Sequence, residues 1–134
     1  MDETGPLMLT KTHRPKYLNL LKIRLPVTGV ASILHRISGV LLFLSIPFII
    51  YALSLSLRSP ESFAQVSAYF DNILIRVIAL ILLYSLVHHF FAGIRFLLLD
   101  LDIGAELRTA RASALSVILA GLLAFVLIVM GILL

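Results

Sequence analysis

The chain has 134 residues, of which 60% are apolar and 13% charged; it carries a net charge of +4 at pH 7 and no cysteine. Soluble domains run at roughly 45–50% apolar and about 25% charged residues, so the composition excludes an ordinary soluble domain and indicates a membrane protein. Lacking cysteine, the chain forms no disulfide and gives no thiolate to a metal or an iron–sulfur cluster, so redox chemistry here needs histidine ligation or an organic carrier.

The N-terminal segment, residues 1–25, is polar. It has neither the short basic start, apolar centre and small-residue cleavage site of a secretory signal nor the Arg- and Ser-rich, acid-poor pattern of a transit peptide, so it is expected to stay on the mature protein. Arg14-Pro15 disfavours helix at that point. Lys11, Arg14, Lys16, Lys22 and Arg24 all precede the first apolar run. That is the lysine and arginine bias that keeps a segment on the cytoplasmic side, and it accounts for the basic balance without a nucleic-acid partner.

Pro26 suits the first turn of a helix, because its missing N–H is one of the unpaired donors there anyway. The first membrane helix is expected over 26–57, with a charge-free run at 37–57 and a kink at Pro47. The connection "RSPESFAQVSAYFDN" contains a helix-start signal and a short amphipathic piece expected along the outer interface. A second membrane helix follows over 73–100; its apolar run, 77–99, is interrupted by His88, His89 and Arg95. Gly104 and the mixed charges of "DLDIGAELRTARASA" mark a solvated connection. The third membrane helix is expected over 112–134, where Ala112, Ser116, Ala120 and Ala124 recur every four residues. Such a stripe permits close helix approach in lipid, and equally describes an ordinary alanine-rich membrane helix. Together these predict an all-α, three-transmembrane-helix anchor bundle in a single domain, with the N-terminus cytoplasmic and the C-terminus on the far side.

Two polar constellations interrupt this apolar frame. In "SILHRISGV" the helical spacing puts Ser32, His35 and Arg36 on roughly one face. A hydroxyl, an imidazole and a guanidinium together suit an oxygen-rich ligand such as a carbonyl, carboxylate or phosphate. An ionisable residue inside a span costs at least about 2.5–3.5 kcal/mol unless it finds protein, water or a counter-charge. The alternative for Arg36 is snorkelling to the headgroups.

In "HHFFAGIRFLLLD", His88 and His89 lie well inside the second span, and Gly93 follows His89 by one turn on the same face. A histidine beside bare backbone suits the axial nitrogen and ring edge of a flat macrocycle; a histidine bonded to a neighbouring helix is the competing reading. Adjacent residues point about 100° apart on a helix, so His88 and His89 cannot grip one iron from both sides. His13 and His35 are expected at depths that do not match, so a second ligand would come from a partner subunit. By the rise per residue, Arg36 and His89 both lie roughly 15 Å from the same surface. Arg95 and Asp100 are expected to be a snorkelling cation and a helix-end charge.

"RPKYLNL…IRLPVTGVASILHRISGV" followed by "HHFFAGIRFLLLD" resembles the cytochrome b membrane-anchor subunit of succinate dehydrogenase, from about Arg14 to about Ser113. The paired elements S-x-x-H-R-x-S-G and H-x-x-x-G-I-R carry the resemblance. It implies a redox-complex subunit without the flavin, and three protein partners: a second membrane anchor, an iron–sulfur subunit and a flavoprotein subunit. Haem b would be shared with the second anchor, and ubiquinone would be the substrate. It implies quinone binding by Ser32, Arg36 and Asp100, haem-propionate contacts from His35 and Arg36, and axial ligation of the haem iron by His89, with His88 only its neighbour. A bacterial inner membrane is the expected location. Phe96 departs from relatives that carry histidine there, so a polar contact from that position is lost. A haem-free structural anchor of a respiratory or fumarate reductase complex is the alternative, and a small transport subunit using Arg36, His88 and His89 ranks last.

Overall fold

A computed structural model describes residues 24–134; the expectations placed on Lys11, His13, Arg14, Lys16 and Lys22 lie outside the described residues. Among the described residues every element is helical: α1 (Val27–Ser56), α2 (Pro60–Ala68), a short 3-10 turn (Tyr69–Asp71), α3 (Ile73–Asp100) and α4 (Leu107–Leu133). α1, α3 and α4 have 30, 28 and 27 residues and are apolar enough to cross a membrane. At 1.5 Å per residue each exceeds the roughly 30 Å hydrocarbon core.

The local signals explain the boundaries. Pro26 is extended (φ −65°, ψ 154°) and caps α1, its carbonyl accepting from the Gly29 and Val30 amides. Helix α1 runs unbroken through Pro47. Ser59 caps α2, accepting from the Ser62 amide at 3.1 Å, with Pro60 in the first turn. The Ser59 hydroxyl, and next the Glu61 amide, hold the Glu61 carboxyl below its usual range. Asn72 caps α3 by accepting from the Leu74 amide. At the far end of α3, the Asp102 amide donates to Leu99 and the Ile103 amide to Leu98, closing the helix. That closure turns on Asp102 at φ +59°, a left-handed position aspartate tolerates better than most residues. Gly104, at φ +77°, then reverses the chain. This compact turn lets α4 begin at Leu107, five residues before the apolar run, because "LRTAR" has good helix formers and no breaker.

Helix α3 packs against both α1 and α4, which also touch each other. The buried residues show how. They are Ala31, Ser38 and Ser45 on α1, Ser85, His88, Ala92 and Arg95 on α3, and Ala114 and Gly121 on α4. All follow a seven-residue repeat, the spacing of a left-handed helix seam. The close face of α4 is therefore Ala114–Gly121, and not the stripe at 112, 116, 120 and 124: Ala112 and Ser116 are exposed. A Cβ on Gly121 would sit 3.4 Å from both Cα and Nδ1 of His88. Gly121→Val should therefore overpack the α3–α4 seam and cost about 1–3 kcal/mol. Thermal unfolding of the detergent-solubilised protein checks this; an unchanged midpoint would place the helices further apart.

Candidate functional site

The two histidines at the centre of α3 part ways. His88 turns toward α4, only 1% exposed, against Gly121 and stacked on Tyr84 with ring centroids 5.9 Å apart. Neither of its ring nitrogens has a partner among the described residues. His89, one residue on and about 100° round the helix, turns toward α1. Its ring stacks on that of His35, with centroids 4.1 Å apart and planes inclined by 12°.

The hydrogen bonds around His89 define its tautomer. Its Nδ1 lies 3.1 Å from the His35 carbonyl oxygen and 3.1 Å from Ser38 Oγ, while Ser38 Oγ donates to the same carbonyl at 2.8 Å. A carbonyl only accepts, so this geometry has His89 Nδ1 donating, which in the neutral ring leaves the lone pair on Nε2. Metal-binding histidines are commonly oriented this way, one ring nitrogen donating to a carbonyl while the other ligates. Ser38 and Gly39 supply this arrangement together. A Cβ on Gly39 would come within 3.0 Å of His89 Cε1, so the bare backbone that admits the ring belongs to α1. Gly93, one turn from His89, faces His35, with a Cβ there 3.8 Å from Nε2. Both residues stand in the quoted S-x-x-H-R-x-S-G element; the missed signal was that Ser38-Gly39 lies one turn beyond His35.

Two further expectations are corrected. His35 does lie at the level of His89, since the rings touch; its ring also meets Phe96 at 5.0 Å. Stacked faces 4.1 Å apart leave no room for a metal ion between the two rings. Arg95 does not snorkel. It is 6% exposed, and its Nε and Nη2 donate to Ser113 Oγ (3.0 Å) and the Ala110 carbonyl (3.1 Å) on α4.

The other predicted residues are spread along α1 and at the end of α3. Ser32 is half-buried, and unlike Ser38, Ser45 and Ser56 it makes no bond back to its helix among the described residues. Arg36 is exposed, beside an outward groove with Ile37, Val40 and Leu41. Asp100 is exposed at the last residue of α3. No hydrogen bond joins Ser32, Arg36 and Asp100 to one another among the described residues.

Fold and site thus define a multi-pass, all-α membrane subunit with an oriented histidine between two of its spans. The chain belongs to the succinate dehydrogenase/fumarate reductase transmembrane subunit family, whose model matches residues 10–128. It is similar to the succinate dehydrogenase cytochrome b556 subunit of Coxiella burnetii (strain RSA 493 / Nine Mile phase I), at 37% identity over 115 residues covering 85% of this chain and 92% of that protein. It is also similar to the succinate dehydrogenase cytochrome b556 subunit of Paracoccus denitrificans, at 30% identity over 110 residues covering 82% and 85% of the two chains. The family assignment makes the chain a membrane anchor of such a complex.

The tautomer is open to direct measurement. In histidine-¹⁵N-labelled protein without cofactor, the His89 resonances should show the proton on Nδ1, and Gly39→Ala should disturb them by pushing the ring off the His35 carbonyl. A His89 protonated at Nε2 would contradict the hydrogen bonding described.

Proposed function

We propose that the chain binds haem b and ubiquinone within a succinate dehydrogenase-type complex, as the subunit that passes electrons to quinone without carrying the flavin. The observation that carries this reading is the fixed His89 tautomer: a buried carbonyl and a serine hold Nδ1, and Nε2 is left as a free donor. The donor set fits a b-type haem, whose iron takes neutral imidazole. His89 would supply one axial ligand, and a second anchor subunit the other, since neither His35 nor His88 is placed to do so. The haem would contribute a one-electron carrier whose potential its ligands tune.

The chain's own residues divide the remaining work. His35 and Arg36 would meet the propionates, and Ser32, Arg36 and Asp100 would face the quinone. The Ser32 hydroxyl, not bonded back to its helix, is available to donate to a quinone carbonyl. Arg36 is a cation on the outer face of a membrane helix, a costly position that calls for an anionic or carbonyl partner. Asp100 stands at the negative end of the α3 dipole, where an acid gains nothing from the helix itself. Iron–sulfur and flavoprotein subunits would dock on the side bearing the α3–α4 turn, where Arg108 and Arg111 lie. The same lysine and arginine bias puts the N-terminus in the cytoplasm and the C-terminus in the periplasm of a bacterial inner membrane.

A dithionite-reduced minus oxidised spectrum of the membrane complex should show a b-type signal that His89→Leu removes or strongly alters. A native complex without that signal would sink the haem assignment. For the quinone site, Ser32→Ala and Arg36→Leu should each lower succinate-to-quinone turnover by about tenfold or more, as loss of a hydrogen bond worth about 1.5 kcal/mol implies. Electron transfer from succinate to a soluble dye, which bypasses the anchor, should be unaffected. Equal losses in both assays would mean the substitutions disturb assembly.

A further inference from the structure

Arg95 brings a guanidinium into the protein with no carboxylate beside it among the described residues; its bonds go to two neutral oxygens, Ser113 Oγ and the Ala110 carbonyl. Arginine has five N–H donors, so these two bonds leave donors unpaired, and the charge is met otherwise, among the described residues, by the Phe96 ring face 5.3 Å from Cζ, a weaker partner than an anion. The surroundings add to the cost. Ala110 lies in the first turn of α4, so the positive end of that helix is close by. A cavity of about 380 Å³ opens beside Arg95 between α3 and α4. Its polar end holds Arg95, Thr109 and Ser113, and its remaining walls are largely apolar, including Phe91, Ile94 and Leu98. Arg95 is five residues from the end of α3, roughly 7–8 Å along the axis, which is the level where headgroups meet acyl chains.

We infer that this cleft between α3 and α4 is a binding site for an anionic phospholipid, its headgroup phosphate answering Arg95 and an acyl chain lying along Ile94 and Leu98. A guanidinium suits a phosphate in charge and in hydrogen-bond geometry, and basic pockets between membrane helices are the places where anionic headgroups bind. The apolar walls select lipid over free phosphate, which would leave them bare. The lining of the cleft includes none of the residues assigned above to haem or quinone.

The test uses the intact complex, delipidated in detergent and supplied in turn with phosphatidylglycerol, phosphatidylcholine or inorganic phosphate. Phosphatidylglycerol should raise the melting temperature saturably, as a ligand of the native state does, and should be retained on the complex in native mass spectra. Phosphatidylcholine and inorganic phosphate should not reproduce the effect. Arg95→Gln should abolish the difference between the two lipids. Because that change also removes bonds to α4, Ser116→Phe provides a second test, filling the cleft from α4 while leaving Arg95 in place; it should abolish phosphatidylglycerol retention likewise. An effect of inorganic phosphate equal to that of phosphatidylglycerol would overturn the lipid assignment in favour of a free-anion site. A phosphatidylglycerol effect that is absent in the native complex, or unchanged in Ser116→Phe, would overturn the site. A Ser116→Phe complex that no longer assembles would show the cleft to be covered by a protein partner, and would overturn it too.

Discussion

The architecture depends on the buried face of α3, which is largely polar. In lipid there is no hydrophobic gain from bringing helices together, so association rests on close packing and on polar contacts between helices. Ser85, His88, Ala92 and Arg95 occupy the inner seam of α3. They are accommodated because the facing seams are built from small residues, Ala31, Ser38 and Ser45 on α1 and Ala114 and Gly121 on α4. A large residue at Gly121 would displace the backbone carrying His88; one at Gly39 would displace the ring of His89. The small residues thus have a definite job, which is to leave the imidazoles where they are.

From this packing follows a division between neighbours. Two consecutive histidines on one helix must diverge, and the structure assigns His88 to the α4 side and His89 to the α1 side. Each inter-helix seam then has its own polar clamp. His89 reaches the His35 carbonyl and Ser38 across α1–α3, and Arg95 reaches Ala110 and Ser113 across α3–α4. Both clamps act in the half of the bundle nearer the α3–α4 turn. Any chemistry carried by His89 is therefore held in the most firmly registered part of the molecule.

Much of the frame was legible in the sequence because hydrophobic length and turn chemistry are local properties. The charge-free runs, Ser59-Pro60 before α2 and Gly104 after α3 all announce themselves without tertiary information. What could not be read was direction. Whether Arg95 snorkels or turns inward depends on whether an acceptor waits on another helix, and the Ser113 and Ala110 oxygens become neighbours only after the chain reverses. The same holds for the role of Gly39 beside the His89 ring, since spacing within α3 speaks only of α3. The apolar run marks where the third span lies and not where its helix begins, because a helix can continue beyond the apolar run into charged residues.

The level shared by α1 and α3 gives the exposed cation its meaning. His35 touches both His89 and Phe96, so Arg36 on α1 lies in the same half of the bundle as Arg95 on α3. One of the two turns inward and finds oxygens on α4; the other faces outward among Ile37, Val40 and Leu41. Ser38, the nearest hydroxyl along α1, is committed to the His35 carbonyl and to His89, and Arg36 has no hydrogen bond among the described residues. An anionic or carbonyl partner for Arg36 is thus still wanting. On the proposed reading it is supplied by the haem and the quinone, and the outward face of α1 becomes the side on which the second membrane anchor closes the site.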